Sequence, residues 1–481
     1  MDVIGVNGCE LILTDTIQIK NNTASSNGGG VLMNIKESKV LPANAVFKIQ
    51  LNGAEITSNT AGNSGGGLYM LRNEEGTENY QCTLDLNYGE ISGNTALKDN
   101  GGGVYVSDVG ITMGDEKNVL TISGNKAING IGGAVYATGT DGECSISNGT
   151  ITGNDAKHGG AIGVSNGIVN VDGGALDGNT ASSYGGAIYA TGIESSINVS
   201  GDGRISSNSA ANGGGIYATA GGAVNVSGGI ISNNAASGNP GVTTAYDDAA
   251  ASGVGGGIYV GNGTGSKKSS ITISGESVGV YNNTASFAAA DAYASGNNTV
   301  MSLPNVEGMD LTGYNGTATG WFEDYATSDA SYNLGFAGGS KGERYKDADT
   351  PIAVESSNNI TKYAAITLGK LVKGDLTIEK TGTNIDEDQT FVFEITKPSD
   401  KDFHMTVSVK GTGSVTIYDL VEGTYNVEEL KSWSWRYKPT EANLTAVLSE
   451  NNVKPKVTFN NTRNNNDWLS AVYRVINVKG Q

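Results

Sequence analysis

The sequence predicts an all-β protein in which a parallel β-helix is followed by an antiparallel β-sandwich. The first observation is composition, since the 481 residues include 72 glycines but only 7 prolines. The second is a short motif, apolar-x-x-Asn-x-Ala, which recurs from Ile19 to Val280. The third is a change to strict alternation of apolar and polar residues after residue 371. Repeats predict a solenoid, whereas alternation over short segments predicts strands with one buried face.

The repeat is defined by an asparagine and by the glycines that follow it. ITSNTA at Ile56 precedes GGGLYM, and ISGNTA at Ile91 precedes GGGVYV. The interval between asparagines varies, and Gly, Asn, Ser and Thr interrupt every candidate helix, so stacked short strands of about nine to ten coils fit better than helical repeats or a propeller. The repeated asparagines are Asn22, Asn59, Asn94, Asn125, Asn154, Asn179, Asn208, Asn234 and Asn283.

The residue type at each position of the motif can be explained physically. Asparagine tolerates left-handed backbone geometry at a turn, and its amide can donate to and accept from the equivalent asparagine in neighbouring coils, so we expect an internal ladder. The apolar residue three positions earlier is expected to face the core. The glycines allow positive φ and close stacking of backbones that a β-carbon would obstruct.

A column of tyrosines occupies one position of the repeat, with Gly163 as an exception. One interpretation is an outer aromatic stripe that stacks on sugars or peptides. The interpretation we favour is that the rings stack on one another and shield the sheet. The column contains Tyr69, Tyr105, Tyr136, Tyr189, Tyr217, Tyr259 and Tyr293.

Two further features are candidates for function within the repeats. The insertion from Ser237 to Val254 carries Asp247 and Asp248 and is either a functional loop or a loop of small residues. Turns on successive coils also bring together a set of charged residues that a polysaccharide lyase or hydrolase could use. This set mixes signs without a recurrent carboxylate pair, so an exposed ridge of turns is the simpler interpretation. It comprises Asp99, Lys126, Asp155, Lys157 and His158.

The GGA(I/L/V) and xxN repeats resemble those of chlamydial polymorphic membrane proteins and of Gram-positive surface proteins in the right-handed, pectin-lyase-like β-helix class. The sequence departs from that pattern in having Ile where the chlamydial repeats commonly have Phe. The resemblance implies a right-handed β-helix over residues 1–296. The pattern breaks at AAADAY, and residues 297–370 are expected to form the C-terminal cap and connector of the solenoid.

Composition excludes several classes of function. The net charge of -19 argues against nucleic acid as a partner, because phosphate binding needs concentrated Lys and Arg. Two histidines and three widely spaced cysteines do not indicate a metal centre, a Ser-His-Asp site or a disulfide framework. We therefore expect no metal and no cofactor.

Residues 371–463 are predicted to form the sandwich, followed by a tail at 464–481. In DLTIEKT, GTYNVEEL and KVTFNNT, a period of two places Lys380, Glu429 and Asn461 on the same faces as the core residues. These segments resemble the Cna-B or SpaA-type pilin domains of Gram-positive bacteria. The resemblance implies an isopeptide bond between Lys380 and Asn461, with Glu429 as the assisting acid. The alternative is an unlinked sandwich in which Lys380 extends towards solvent and Asn461 caps a strand edge.

The two resemblances imply a bacterial surface protein of the cell wall. We expect an adhesin or display protein in which the β-helix presents a binding surface on a self-crosslinked, pilin-like stalk. The alternative is a polysaccharide-degrading enzyme; otherwise the only catalysis is one round of crosslinking. The expected partner is a host or matrix glycan or protein, bound by a monomer. Neither an export signal nor a sorting motif is present, so peptidoglycan attachment is expected through segments outside this chain.

Overall fold

The computed structural model divides the chain into two compact units, Met1–Gly369 and Lys370–Gln481. It describes residues 2–3, 8–36, 45–73, 81–139, 142–193, 195–219, 221–238, 253–261, 263, 265–275, 277–286, 289–295, 298–304, 306–314, 318, 320–323, 364–369, 373–398, 400–421, 423–434, 436–449 and 452–463. Asp247, Asp248 and the predicted tail lie outside the described residues. Most of the predicted cap, from 324 to 363, also lies outside them.

The first unit is a parallel β-helix with three columns of stacked strands, as the repeats predict. The column that follows the glycines, here called the Tyr sheet, has ten parallel strands among the described residues. Its register pairs each tyrosine with the equivalent position of the next coil, for example Tyr105 with Tyr136. Its strands are Asp2–Val3, Val31–Lys36, Leu68–Asn73, Val104–Ser107, Val135–Thr138, Ile162–Ser165, Ile188–Thr191, Ile216–Ala218, Ile258–Val260 and Ala292–Ala294.

The second column, here called the Asn sheet, contains the short strands that directly follow each repeated asparagine. Six of its nine described strands have only two residues because a turn to the glycines comes immediately afterwards. Its strands are Thr23–Ala24, Thr60–Ala61, Thr95–Ala96, Lys126–Ile131, Asp155–His158, Thr180–Tyr184, Ser209–Ala210, Ala235–Ala236 and Thr284–Ala285.

The third column, here called the wide sheet, has two adjacent rows of strands that join in the long strands Val46–Thr57 and Gln81–Ser92. One row contains Cys9–Thr14, Gly110–Met113, Glu143–Ile146, Ile168–Val171, Ser196–Val199, Ala223–Val226, Ser269–Ile273 and Thr299–Ser302. The other contains Gln18–Lys20, Leu120–Ser123, Thr150–Thr152, Ala175–Asp177, Arg204–Ser206, Gly229–Ser232 and Val278–Tyr281. Within each row, consecutive strands pair in parallel from coil to coil.

Alternation along these strands fills one continuous core. In the strand that contains Ile122, apolar residues are buried and the threonines and serines between them are partly exposed. The column Ile56, Ile91, Ile122, Ile151 lies in register on successive coils and is at most 2% exposed. The apolar residue of each repeat therefore faces the core, as the sequence analysis expects.

Glycines permit the tight turn between the Asn sheet and the Tyr sheet. Gly65 has φ of 68°, and a β-carbon on Gly66 would lie 2.2 Å from the carbonyl oxygen of Gly102 on the next coil. In the last coil Ala289, Ala290 and Asp291 replace this triplet. No parallel coil follows there among the described residues, so a side chain at these positions meets no such carbonyl.

An antiparallel strand closes the Tyr sheet at its C-terminal end. Ala364–Gly369 pairs antiparallel with Ala292–Ala294 and with Gly320–Glu323. The buried Trp321 indole donates to Pro304 O at 3.0 Å, and a short 3-10 helix spans Val306–Gly308. These described parts of the predicted cap cover the last coil.

The second unit is a sandwich of two four-stranded sheets. One sheet has the order Gly413–Val421, Lys373–Thr383, Lys456–Arg463, Tyr437–Pro439. The other has the order Asp400–Lys410, Thr390–Lys397, Gly423–Glu429, Asn443–Leu448. All pairs are antiparallel except that of Lys373–Thr383 with Lys456–Arg463, which is parallel. The first and last strands of the domain therefore lie side by side.

Candidate functional site

The centre of the sandwich holds four buried polar side chains. Lys380, Glu429 and Ser434 are each 1% exposed and Asn461 is 0% exposed. Lys380 and Asn461 come from the paired first and last strands, where Lys380 is opposite Phe459 and Gly382 is opposite Asn461. Glu429 comes from the facing sheet.

Glu429 bridges the other two members of the predicted triad. Lys380 Nζ donates to Glu429 Oε2 at 3.0 Å, and Asn461 Nδ2 donates to Glu429 Oε1 at 2.6 Å. Since one carboxylate contacts both groups, it holds the amine and the amide on the same side of the core. The structure thus brings together Lys380, Glu429 and Asn461.

Aromatic side chains remove water from this site. Lys380 Nζ lies 4.5 Å from the centre of the Phe391 ring, and the rings of Phe393 and Phe459 are 4.9 Å apart. Burial lowers the pKa of Lys380, while the hydrogen bond and charge of Glu429 oppose that shift. Burial therefore favours the neutral amine, which is the nucleophilic form.

Asn461 has one polar atom without a partner. Its Oδ1 is buried and accepts no hydrogen bond from the described residues. A buried carbonyl oxygen that loses its hydrogen bond to water and gains no other lowers the stability of the fold by about 1 to 3 kcal/mol. The amide is thus less stabilised than an ordinary buried asparagine.

This arrangement can perform an acyl transfer within the chain. The Lys380 nitrogen would attack Asn461 Cγ, Glu429 would accept a proton from that nitrogen and return one to Nδ2, and the Cγ–Nδ2 bond would break. A new amide bond forms and ammonia leaves, so atoms and charge balance without a cofactor.

Sequence analysis did not identify Ser434 as part of this site. Its hydroxyl donates to Glu429 Oε1 at 3.0 Å. It lies in the turn between two strands, where no periodic pattern predicts which side chains point inward.

The repeated asparagines form one hydrogen-bonded ladder in the β-helix. Asn94 donates from both its backbone N and its Nδ2 to Asn125 Oδ1, at 3.0 and 2.9 Å, and also from Nδ2 to Ile56 O at 2.8 Å. The same pattern continues from Asn22 to Asn283. The expectation that these asparagines adopt left-handed geometry is wrong, since positive φ belongs to the residue before each, such as Ser58 or Gly93.

The ladder ends on a carboxylate. Asn283 Nδ2 donates to Asp291 Oδ1 at 2.8 Å, while Thr367 Oγ1 and Leu368 N donate to Asp291 Oδ2 at 3.1 and 2.7 Å. Burial raises the pKa of Asp291 to about 6, although these hydrogen bonds and one from Asn283 N favour the charged carboxylate. A residue that breaks the repeat in sequence therefore joins the last coil to the closing strand.

The tyrosine column is largely covered. Tyr69, Tyr136, Tyr217, Tyr259 and Tyr293 are 1 to 8% exposed, and only Tyr105 and Tyr189 are half-buried. Neighbouring rings stack, as for Tyr217 and Tyr259 with centres 4.4 Å apart. Little ring surface remains for a ligand.

His158 stacks beside the tyrosine column on the coil where Gly163 replaces the tyrosine, and Ile131 Cγ2 occupies the space at Gly163 itself. The His158 ring lies 5.0 Å from those of both Tyr184 and Tyr189. Burial, with a smaller effect of Lys157, lowers the pKa of His158 to about 4. The ring is therefore neutral at pH 7 and acts in this stack as one more aromatic group.

The other charged residues considered for catalysis lie on the surface of the turns. Asp99, Lys126, Asp155 and Lys157 are exposed, and Lys126 is in register with Asp155 on the next coil. The described residues contain no group of three or more His, Cys, Asp or Glu side chains that could hold a metal ion.

Comparison with known families assigns two parts of the chain. Residues 374–463 match the SpaA prealbumin-like fold domain. Residues 173–191 match the Chlamydia polymorphic membrane protein repeat. The matched SpaA-like region contains the whole Lys380, Glu429 and Asn461 site. No curated protein and no solved structure matches the chain, and no described helix is long and apolar enough to cross a membrane.

Proposed function

We propose that the protein is a surface-displayed adhesin or structural protein of a bacterial cell wall. In this proposal the β-helix is the display module and the SpaA-like domain is an internally crosslinked stalk. The similarity to a pilin-type domain and to a surface-protein repeat supports surface display. The observation that carries the proposal is the buried contact of Lys380 and Asn461 with one carboxylate.

Intact-mass spectrometry of the full chain tests the crosslink. We expect a mass one ammonia below that of the sequence, and a branched peptide that joins Lys380 to Asn461 after proteolysis. Glu429→Gln keeps the size of the side chain but removes the proton acceptor, so it should retain the unmodified mass. An unmodified mass for the wild type would contradict the proposal.

The wide sheet offers a more accessible surface for a glycan than the tyrosine column does. Asn225 Nδ2 donates to Asn198 Oδ1 at 2.9 Å, and Asn198 Nδ2 donates to Asn170 Oδ1 at 2.8 Å. These half-buried amides lie in register on successive strands of the outer face. Their remaining donors and acceptors could bind hydroxyl groups of a glycan.

A screen of the full chain against glycans and matrix proteins tests this surface. We expect Asn198→Arg to abolish binding of any ligand that the screen identifies. Ser182→Arg makes the same change of charge on an exposed residue of the Asn sheet and should retain binding. Equal loss in both variants would contradict the assignment of the surface. Release of reducing ends or unsaturated products from the panel would instead favour the polysaccharide-degrading alternative.

A further inference from the structure

The turn that follows Glu429 places a fourth polar group in the crosslinking site. Ser434 is buried, and its Oγ donates to Glu429 Oε1 at 3.0 Å. Asn461 Nδ2 donates to the same oxygen, whereas Lys380 Nζ donates to Oε2. The two carboxylate oxygens therefore have different partners among the described residues.

Backbone hydrogen bonds hold this serine in place. Trp433 N donates to Leu430 O at 3.1 Å, Ser434 N donates to Lys431 O at 3.2 Å, and Tyr437 N donates to Ser434 O at 2.8 Å. Gln389 Nε2 also donates to Trp433 O at 3.0 Å. The hydroxyl is thus directed at the carboxylate by a fixed turn, not by a mobile loop side chain.

We propose that Ser434 is a positioning residue for isopeptide formation, an inference that rests on the proposed crosslink. By donating to Oε1, it fixes the rotation of the Glu429 carboxylate, so that Oε2 faces the amine and Oε1 faces the leaving nitrogen. Groups that act in proton transfer need such fixed orientation, and the supporting hydrogen bond supplies it.

The orientation matters because one carboxylate must serve two nitrogens. During the reaction, a proton leaves Lys380 Nζ for Glu429, the Nζ–Cγ bond forms, the Cγ–Nδ2 bond breaks, and Glu429 supplies the proton with which ammonia departs. Without the serine, the carboxylate can turn to place both oxygens on the Lys380 amine. It then no longer contacts the Asn461 nitrogen that must leave.

The rate of crosslinking measures this role. The full chain is made by cell-free translation, synthesis is stopped, and the fraction that has lost ammonia is followed by intact-mass spectrometry. We expect Ser434→Ala to slow the reaction by about tenfold, in line with the strength of hydrogen bonds to charged groups. Ser434→Thr retains the hydroxyl and should restore most of the rate.

Two further variants separate positioning from packing. Ser434→Cys keeps a side chain of similar shape but offers only a weak donor, so it should be slow like Ser434→Ala. Ser432→Ala removes an exposed hydroxyl from the same turn and should react at the wild-type rate. If Ser434→Ala fails to fold, the crosslinking rates of Ser434→Thr and Ser434→Cys are compared instead, and a faster Ser434→Thr supports the positioning role.

The possible failures are distinguishable. If the wild type never loses ammonia, the proposed crosslink is wrong and the role of Ser434 falls with it. If the wild type crosslinks and Ser434→Cys or Ser434→Ala reacts equally fast, the crosslink stands and the positioning role is wrong. A slow Ser434→Thr variant would also overturn the role, because the hydroxyl would then not be what matters.

Discussion

The two units bury asparagine in opposite ways. Asn125 in the β-helix is 0% exposed, donates to Asn154 Oδ1 and to Ile91 O, and accepts two hydrogen bonds from Asn94. Asn461 in the sandwich is equally buried, yet its Oδ1 accepts nothing from the described residues and a lysine lies beside it on the same carboxylate. Under the proposed crosslink, the missing partner and the desolvated amine, and not burial alone, distinguish Asn461 from Asn125.

The variant with the largest expected effect on this contrast removes the nucleophilic lysine. Lys380→Met keeps an unbranched apolar chain but cannot crosslink, and we expect the unmodified mass. Since the proposed bond would close a loop of about 80 residues, its loss should lower the free energy of unfolding by about 4 kcal/mol or more, by analogy with a long-loop disulfide. Thermal and denaturant unfolding of the full chain measure this loss.

Lys410→Met is the matched control for that variant. Lys410 is an exposed lysine that pairs with Asp388 on the surface, and such pairs contribute little. It should crosslink fully and unfold at the wild-type midpoint. Equal unfolding of the Lys380 and Lys410 variants would mean that the crosslink does not stabilise the domain.

The second test removes one of the fully hydrogen-bonded asparagines of the ladder. Asn125→Leu leaves the backbone N and one Nδ2 hydrogen of Asn94 without an acceptor. It also removes the Nδ2 donor to Ile91 O and one of the two donors to Asn154 Oδ1, which keeps its bond from Asn125 N. Several such groups at about 1 to 3 kcal/mol each predict a loss of about 3 to 5 kcal/mol. Asn129→Ala, at an exposed position of the same coil, should change the free energy of denaturant unfolding by less than about 1 kcal/mol. A mild effect at Asn125 would show that the ladder is dispensable.

The third and smallest test concerns the carboxylate that ends the ladder. Burial raises the pKa of Asp291 from 3.8 to about 6, so the folded state binds the proton more tightly than the unfolded state does. The contribution of Asp291 to stability is therefore fully present below pH 3.8 and is lost as pH rises through about 6, by at most about 3 kcal/mol. Denaturant unfolding at several pH values measures this slope.

Asp291→Asn should remove this fall in stability, whereas Asp310→Asn should retain it. Asp310 is a surface carboxyl whose pKa is held below its usual value by hydrogen bonds from Thr312. If the Asp291→Asn protein keeps the wild-type slope, another group controls the pH dependence.

The sequence predicts regular features well because they repeat. The spacing of Asn94 and Asn125, and the alternation around Lys380, predict inward-facing side chains, and the predicted fold class is confirmed by the parallel and antiparallel sheets. What covers a strand is harder to predict. Tyr217 stacks on Tyr184, which comes from the end of the Asn sheet rather than from the tyrosine position, so period two alone could not show that the column is buried.

Irregular positions account for the rest of what the sequence did not predict. Ser434 lies in a turn, and nothing in SWSW distinguishes it from Ser432 before the backbone is known. The residue before each ladder asparagine adopts the left-handed conformation. This conformation lets the backbone N of the asparagine donate along the ladder in the same direction as its side chain. That coupling of backbone and side chain is visible only in three dimensions.

Asp291 also gives the ladder a direction and an end. Each asparagine receives two hydrogen bonds on its oxygen and passes two on from its nitrogens, so the pattern can propagate from coil to coil without limit. An ionised carboxylate receives but has no proton to pass on. One acid in place of a glycine thus ends the hydrogen-bonded ladder, and its second oxygen binds the strand that closes the sheet.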